Sequence, residues 1–152
     1  MHTGARWIRV PAPLDRIPVF VREGAIVPRG DVLKANNCWT ADWAPRLRVE
    51  VFLSARRASE CRYFAGRAQR SITSRPAGGA IVLEVQDLGV ETQLDVLCRS
   101  PEAVIVNGRP ADGQCTYDRE RQVLHARVSG ATRVTLCGEG GRCDQLSLFP
   151  TA

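Results

Sequence analysis

Apolar and polar residues alternate along most of this chain. Leu47, Val49, Val51 and Leu53 alternate with Arg48, Glu50 and Phe52, and Ile81, Leu83 and Val85 with Val82 and Glu84. The same period of two returns in Leu94, Val96 and Cys98, in Val104 and Val106, in Leu124, Ala126 and Val128, and in Val134 and Leu136. Successive side chains of a strand point to opposite faces, so this period predicts half-buried strands of about 4–8 residues. Breakers stand between them: Pro76-Ala77-Gly78-Gly79, Asp87-Leu88-Gly89, Asn107-Gly108, Asp112-Gly113 and Ser129-Gly130. Asn107-Gly108 predicts a tight hairpin turn, because both residues tolerate positive φ. No window keeps a 3.6-residue period, and residues 54–60 offer one helical turn and no more. Many short strands with regular turn signals and no helices predict an all-β fold, an antiparallel β-sandwich.

The alternation also selects a core: Val49, Val51, Leu83, Val85, Leu94, Val96, Val104, Val106, Leu124, Val128, Val134 and Leu136. A one-residue register slip would expose this whole set, so the faces are strongly specified. The pattern lapses between about Gly30 and Pro45, in Asn36-Asn37-Cys38-Trp39-Thr40-Ala41-Asp42-Trp43. That segment reads as a linker between a short N-terminal β piece and the main sandwich. Trp39, Trp43 and Trp7 are candidate contacts to a sugar or a partner, since an indole offers a flat apolar face and one N–H. Tryptophans packing the linker onto a neighbour are the plainer alternative.

Length and composition narrow the classes. The chain has 152 residues, 44% hydrophobic and 24% charged, enough to bury the core of one domain or two small ones. No run approaches the roughly 18 apolar residues of a membrane-spanning helix, and residues 1–7 have no apolar signal region. The expectation is a cytoplasmic protein with no membrane partner. The net charge of +5 invites nucleic acid, but the 21 basic residues, all Arg except Lys34, are scattered singly and lack interleaved aromatics, so no nucleic-acid partner is expected. Six cysteines at wide, irregular spacings, with no Cys-x-x-Cys, read as reduced and partly buried. With only His2 and His125 as imidazoles, neither a metal site nor any other cofactor is expected.

No catalytic constellation is visible. His125 is the only internal histidine, and it lies on the outward phase of its strand, where it reads as solvent-facing. Gly138-Glu139-Gly140-Gly141 lacks the Lys-Ser/Thr of a phosphate-binding loop. Asp15 and Glu23, a conceivable acid and base pair, read as turn residues.

One stretch is far more specific: Val10-Pro11-Ala12-Pro13-Leu14-Asp15-Arg16-Ile17-Pro18-Val19-Phe20-Val21-Arg22-Glu23-Gly24-Ala25-Ile26-Val27-Pro28. It resembles the segment that follows the catalytic barrel in glycoside hydrolase family 31, the α-glucosidase and α-xylosidase family. The resemblance implies that residues 1–30 end a proximal C-terminal β-sandwich, with a hairpin of residues 17–22 and 25–27 turning at Gly24. Residues 31–45 would then be the linker, 46–137 the distal C-terminal β-sandwich and 138–152 a tail. Val104-Ile105-Val106-Asn107-Gly108 and the strands around Val128 and Val134 resemble the distal domain more weakly. Where the family often carries an acidic Tyr-Glu-Asp-Asp-Gly turn, this chain has Glu60-Cys61-Arg62-Tyr63-Phe64-Ala65-Gly66. The family's two catalytic carboxylates lie in the barrel, upstream of every residue here, so no catalytic position carries over and no activity is expected of this chain. The resemblance implies a non-catalytic portion of an α-glycosidase, whose partners would be a (β/α)8 barrel, a second copy through residues 1–30, or carbohydrate. An autonomous carbohydrate-binding or protein-interaction module is the alternative.

Overall fold

The computed structural model describes residues 7–15, 17–30, 47–65 and 67–148. Among these residues eleven strands form two sheets: β1 (Ile26–Gly30), β2 (Leu47–Phe52), β3 (Ser59–Ala65), β4 (Ala68–Ala77), β5 (Ala80–Val85), β6 (Thr92–Leu97), β7 (Ala103–Val106), β8 (Arg109–Pro110), β9 (Cys115–Asp118), β10 (Val123–Val128) and β11 (Thr132–Cys137). One sheet has the order β1-β2-β6-β10-β9 and the other β3-β4-β5-β11-β7-β8. Pairing is antiparallel except between β2 and β6. The all-β sandwich expected from the alternation is the fold observed.

The core lies between the inner faces. Leu47, Val49 and Val51 of β2, Leu94 and Val96 of β6, and Leu124, Ala126 and Val128 of β10 meet Ile72 of β4, Ile81, Leu83 and Val85 of β5, and Val134 and Leu136 of β11. Ten of the twelve residues assigned to the core by alternation are buried, and Val104 and Val106 are half-buried against it, because β7 lies near the sheet edge. Asn107 and Gly108 take φ of 49° and 80°, turning β7 into β8 as the Asn-Gly signal required.

Three expectations need correction. Residues 54–60 do not form a helical turn. Ser54 Oγ instead accepts the backbone N–H groups of Arg56 and Arg57 at 3.2 and 3.1 Å, and the chain enters β3 at Ser59. The β3–β4 hairpin was illegible because its outward phase and much of its inward phase are polar; only Ile72 and Ser74 of β4 are fully buried.

Residues 17–22 form no strand. Gly24, at φ 80°, does sit in a turn, closed by the Ala25 N–H to the Arg22 carbonyl at 3.0 Å. The strand leaving that turn is β1, which pairs with β2 (Val27 opposite Glu50) and so joins the five-stranded sheet. The N-terminal piece therefore gives its last five residues to the sandwich. Pro18 has no N–H to donate, and no strand among the described residues runs beside residues 17–22.

The described part of 138–152 is not a loose tail. Two 3₁₀ turns, Glu139–Gly141 and Cys143–Leu146, carry Leu146 into the core, where it is fully buried. The Arg99 N–H donates to the Leu146 carbonyl at 3.1 Å.

Candidate functional site

The outward face of the five-stranded sheet carries the densest polar chemistry. Register sets it in two rows. Glu50, Asp95, His125 and Thr116 face one another across β2, β6, β10 and β9. Arg29, Arg48, Gln93 and Arg127 form the next row across β1, β2, β6 and β10. Asp95 stands at the centre of the sheet on the phase that alternation assigns to solvent, yet its side chain is only 2% exposed. Its neighbours cover it. Asp95 Oδ1 accepts from Gln93 Nε2 at 2.9 Å and lies 2.6 Å from His125 Nδ1, while Arg48 Nε donates to Oδ2.

Burial pushes the Asp95 carboxyl up, but the hydrogen bonds from Gln93, His125 and Arg48, with the Arg48 charge, outweigh it and hold the group below its usual range. An ionised Asp95 makes His125 Nδ1 the protonated nitrogen. The ring's Nε2 makes no hydrogen bond among the described residues, and the side chain is 31% exposed. His125 is thus outward, as expected, but oriented by a buried carboxylate rather than free in solvent. Beside the cluster, Arg29 pairs with Glu50 at 2.9 Å. The arrangement can present fixed hydrogen-bond donors from a flat face. Alternation placed each residue on its face, but only strand order could set Arg48, Asp95 and His125 side by side.

A second feature is apolar. Residues 7–15 and 17–20 form neither helix nor strand, and Trp7, Ile8, Val10, Leu14, Ile17, Val19 and Phe20 are all exposed, Trp7 and Leu14 completely. Of the three tryptophans singled out above, Trp7 opens this strip, whereas Trp39 and Trp43 lie outside the described residues. Asp15 and Glu23 do occupy turns, and Glu23 Oε1 accepts from Ser54 Oγ at 2.7 Å.

A third is a cleft of about 450 Å³ lined by residues of β7, β8, β9 and β10 and the loops between them. Pro101, Glu102, Pro110, Asp112 and Tyr117 are among the residues that line it. No group of three or more potential metal ligands occurs among the described residues. Nor is any of their helices long and apolar enough to cross a membrane.

Neither a family model nor a curated protein matches the chain. Solved structures do. A GH31 dextranase from Flavobacterium johnsoniae superposes with a TM-score of 0.74 at 17% identity, over 90% of this chain. The chain has the fold of a β-sandwich region of GH31 enzymes. An α-1,4-glucan lyase from Gracilariopsis lemaneiformis matches with a TM-score of 0.62 at 21% identity, again over 90% of the chain. The cycloalternan-forming enzyme of Listeria monocytogenes matches at 0.58 and 17%, over 77%. The chain spans only 22%, 18% and 13% of the length of these three proteins. The fold foreseen from the segment around Pro11–Pro28 is therefore the one found, as a small part of much larger chains.

Proposed function

We infer that this chain is a non-catalytic C-terminal β-sandwich portion of a GH31-type α-glycosidase, α-glucosidase- or α-xylosidase-like, that supports a (β/α)8 barrel absent from the chain. The observation that carries the reading is the exposed apolar strip from Trp7 to Phe20, which leads through the Gly24 turn into edge strand β1. An apolar segment exposed in this way is satisfied by burial against another polypeptide. Catalysis points the same way. A retaining glycosidase needs two carboxylates about 5–5.5 Å apart flanking the scissile bond. Asp95, the one fully buried carboxylate among the described residues, is already committed to Arg48, Gln93 and His125.

Deleting residues 1–22, which keeps β1 intact, tests the docking role. The shortened chain is expected to stay folded and to lose binding to a separately expressed GH31 barrel that the full chain retains. A full-length chain that ignores the barrel and shows no self-association in sedimentation would refute it. Neither form should turn over aryl α-glucosides or α-xylosides.

A carbohydrate-binding module is the second reading, favoured by the complete exposure of Trp7 and by the cleft with Tyr117, Glu102 and Asp112. Saturable quenching of tryptophan fluorescence by isomaltotriose, lost in Trp7→Ala, would select it.

A further inference from the structure

We propose that the outward face of the five-stranded sheet binds a phosphate group between Arg48 and Arg127, over Gln93, with the His125 ring beside it. Arg48 and Arg127 both pair with Gln93, from opposite sides. Strands lie about 4.8 Å apart, so the two arginine backbones are separated by roughly 10 Å, a gap their side chains close onto one tetrahedral oxyanion. Asp95 does not consume the Arg48 fork. It takes Nε and leaves the two terminal nitrogens without a partner among the described residues, on a side chain about half exposed. Arg127 is exposed and makes no ion pair there. On this face Arg29 is balanced by Glu50, and Arg48 by Asp95. Arg127 has no such acidic partner among the described residues.

Asp95 is the positioning residue. By holding Arg48 in place before a ligand arrives, it removes the ordering cost that this long flexible donor would otherwise carry. Two guanidinium forks on either side of Gln93 suit an acceptor with three or more oxygens in tetrahedral array. A phosphate offers that; a carboxylate, with two coplanar oxygens, serves one fork at a time.

The test is an NMR titration of the His125 ring protons in the full chain with inorganic phosphate, against sodium chloride at matched ionic strength. A saturable shift with phosphate alone is expected, weakened roughly tenfold or more in Arg127→Gln, as befits loss of a charge-assisted contact. Arg75→Gln, which removes one charge from the other sheet, should leave the affinity within about twofold, the scale of a screened distant charge. A glucose 6-phosphate arm names the source: tighter binding than inorganic phosphate assigns a sugar-borne group, equal binding a free phosphate, and both support the site. A shift that chloride reproduces, or equal weakening by Arg127→Gln and Arg75→Gln, overturns it. Arg48→Gln leaves Asp95 under-compensated and can unfold the sheet, so Arg127→Gln decides.

Discussion

Replacing Leu146 by Ala measures how firmly the C-terminal turns are built into the sandwich. The side chain is fully buried, and Gly138 packs so closely that a Cβ there would stand 3.3 Å from Leu146 Cγ. Three heavy atoms are lost, worth about 2–2.5 kcal/mol of transfer free energy at about 0.8 kcal/mol per methylene. The void adds to this, because the Arg99 N–H bond to the Leu146 carbonyl anchors the backbone and limits collapse. The expected loss is about 3–4 kcal/mol, or a fall in melting temperature on the order of 10 °C for a chain of this size. Urea unfolding followed by circular dichroism reads it as a lower midpoint with an unchanged slope. A loss below about 1 kcal/mol, the range of surface substitutions, would refute the reasoning and return residues 139–148 to the status of a tail.

The β4–β5 turn offers a paired comparison. A Cβ on Gly79, at φ 84°, would fall 1.5 Å from the Gly141 carbonyl oxygen, whereas one on Gly78, at φ 55°, meets nothing within 4 Å. Gly78→Ala should cost about 1–2 kcal/mol from backbone strain alone and Gly79→Ala clearly more in the same urea assay; equal costs would disprove the close approach of the C-terminal turn. Asp95 makes the fold acid-sensitive. Its folded pKa lies below the unfolded value, so its contribution is complete above the ordinary carboxylate range near pH 4 and is lost as pH falls through the depressed folded value. Unfolding midpoints measured from pH 6 down to pH 2.5 should fall less steeply in Asp95→Asn than in the parent, and parallel curves would contradict the arrangement. Burial pushes the Cys98 thiol up to about 12, so it should resist iodoacetamide in the native protein and react once the chain is unfolded in guanidinium. Native-state labelling of Cys98 at the rate of a free thiol would contradict its burial.

Much of the sandwich was written locally. The strands of Leu47, Ile81, Leu94, Leu124 and Val134 each carry alternation strong enough to set both the element and its inward face, and Asn107-Gly108 set a turn through its own φ preferences. Local pattern failed where partners replace it. The β3–β4 hairpin is largely polar and is held by pairing with β5 rather than by its own burial. Residues 17–22 carry a strand's apolar pattern, but no strand among the described residues pairs with them.

By itself, then, the sequence determined the all-β class, the core faces and the likeness to the GH31 segment, because side-chain alternation and turn chemistry act between residues close in the chain. The tertiary structure alone decided that β1 pairs with β2, that β2 runs parallel to β6, and that Leu146 closes the core. It alone set Arg48 and His125 against Asp95, from positions 47 and 30 residues away. Strand order is chosen by the global sum of burial and hydrogen bonding, and no short window of residues contains that sum.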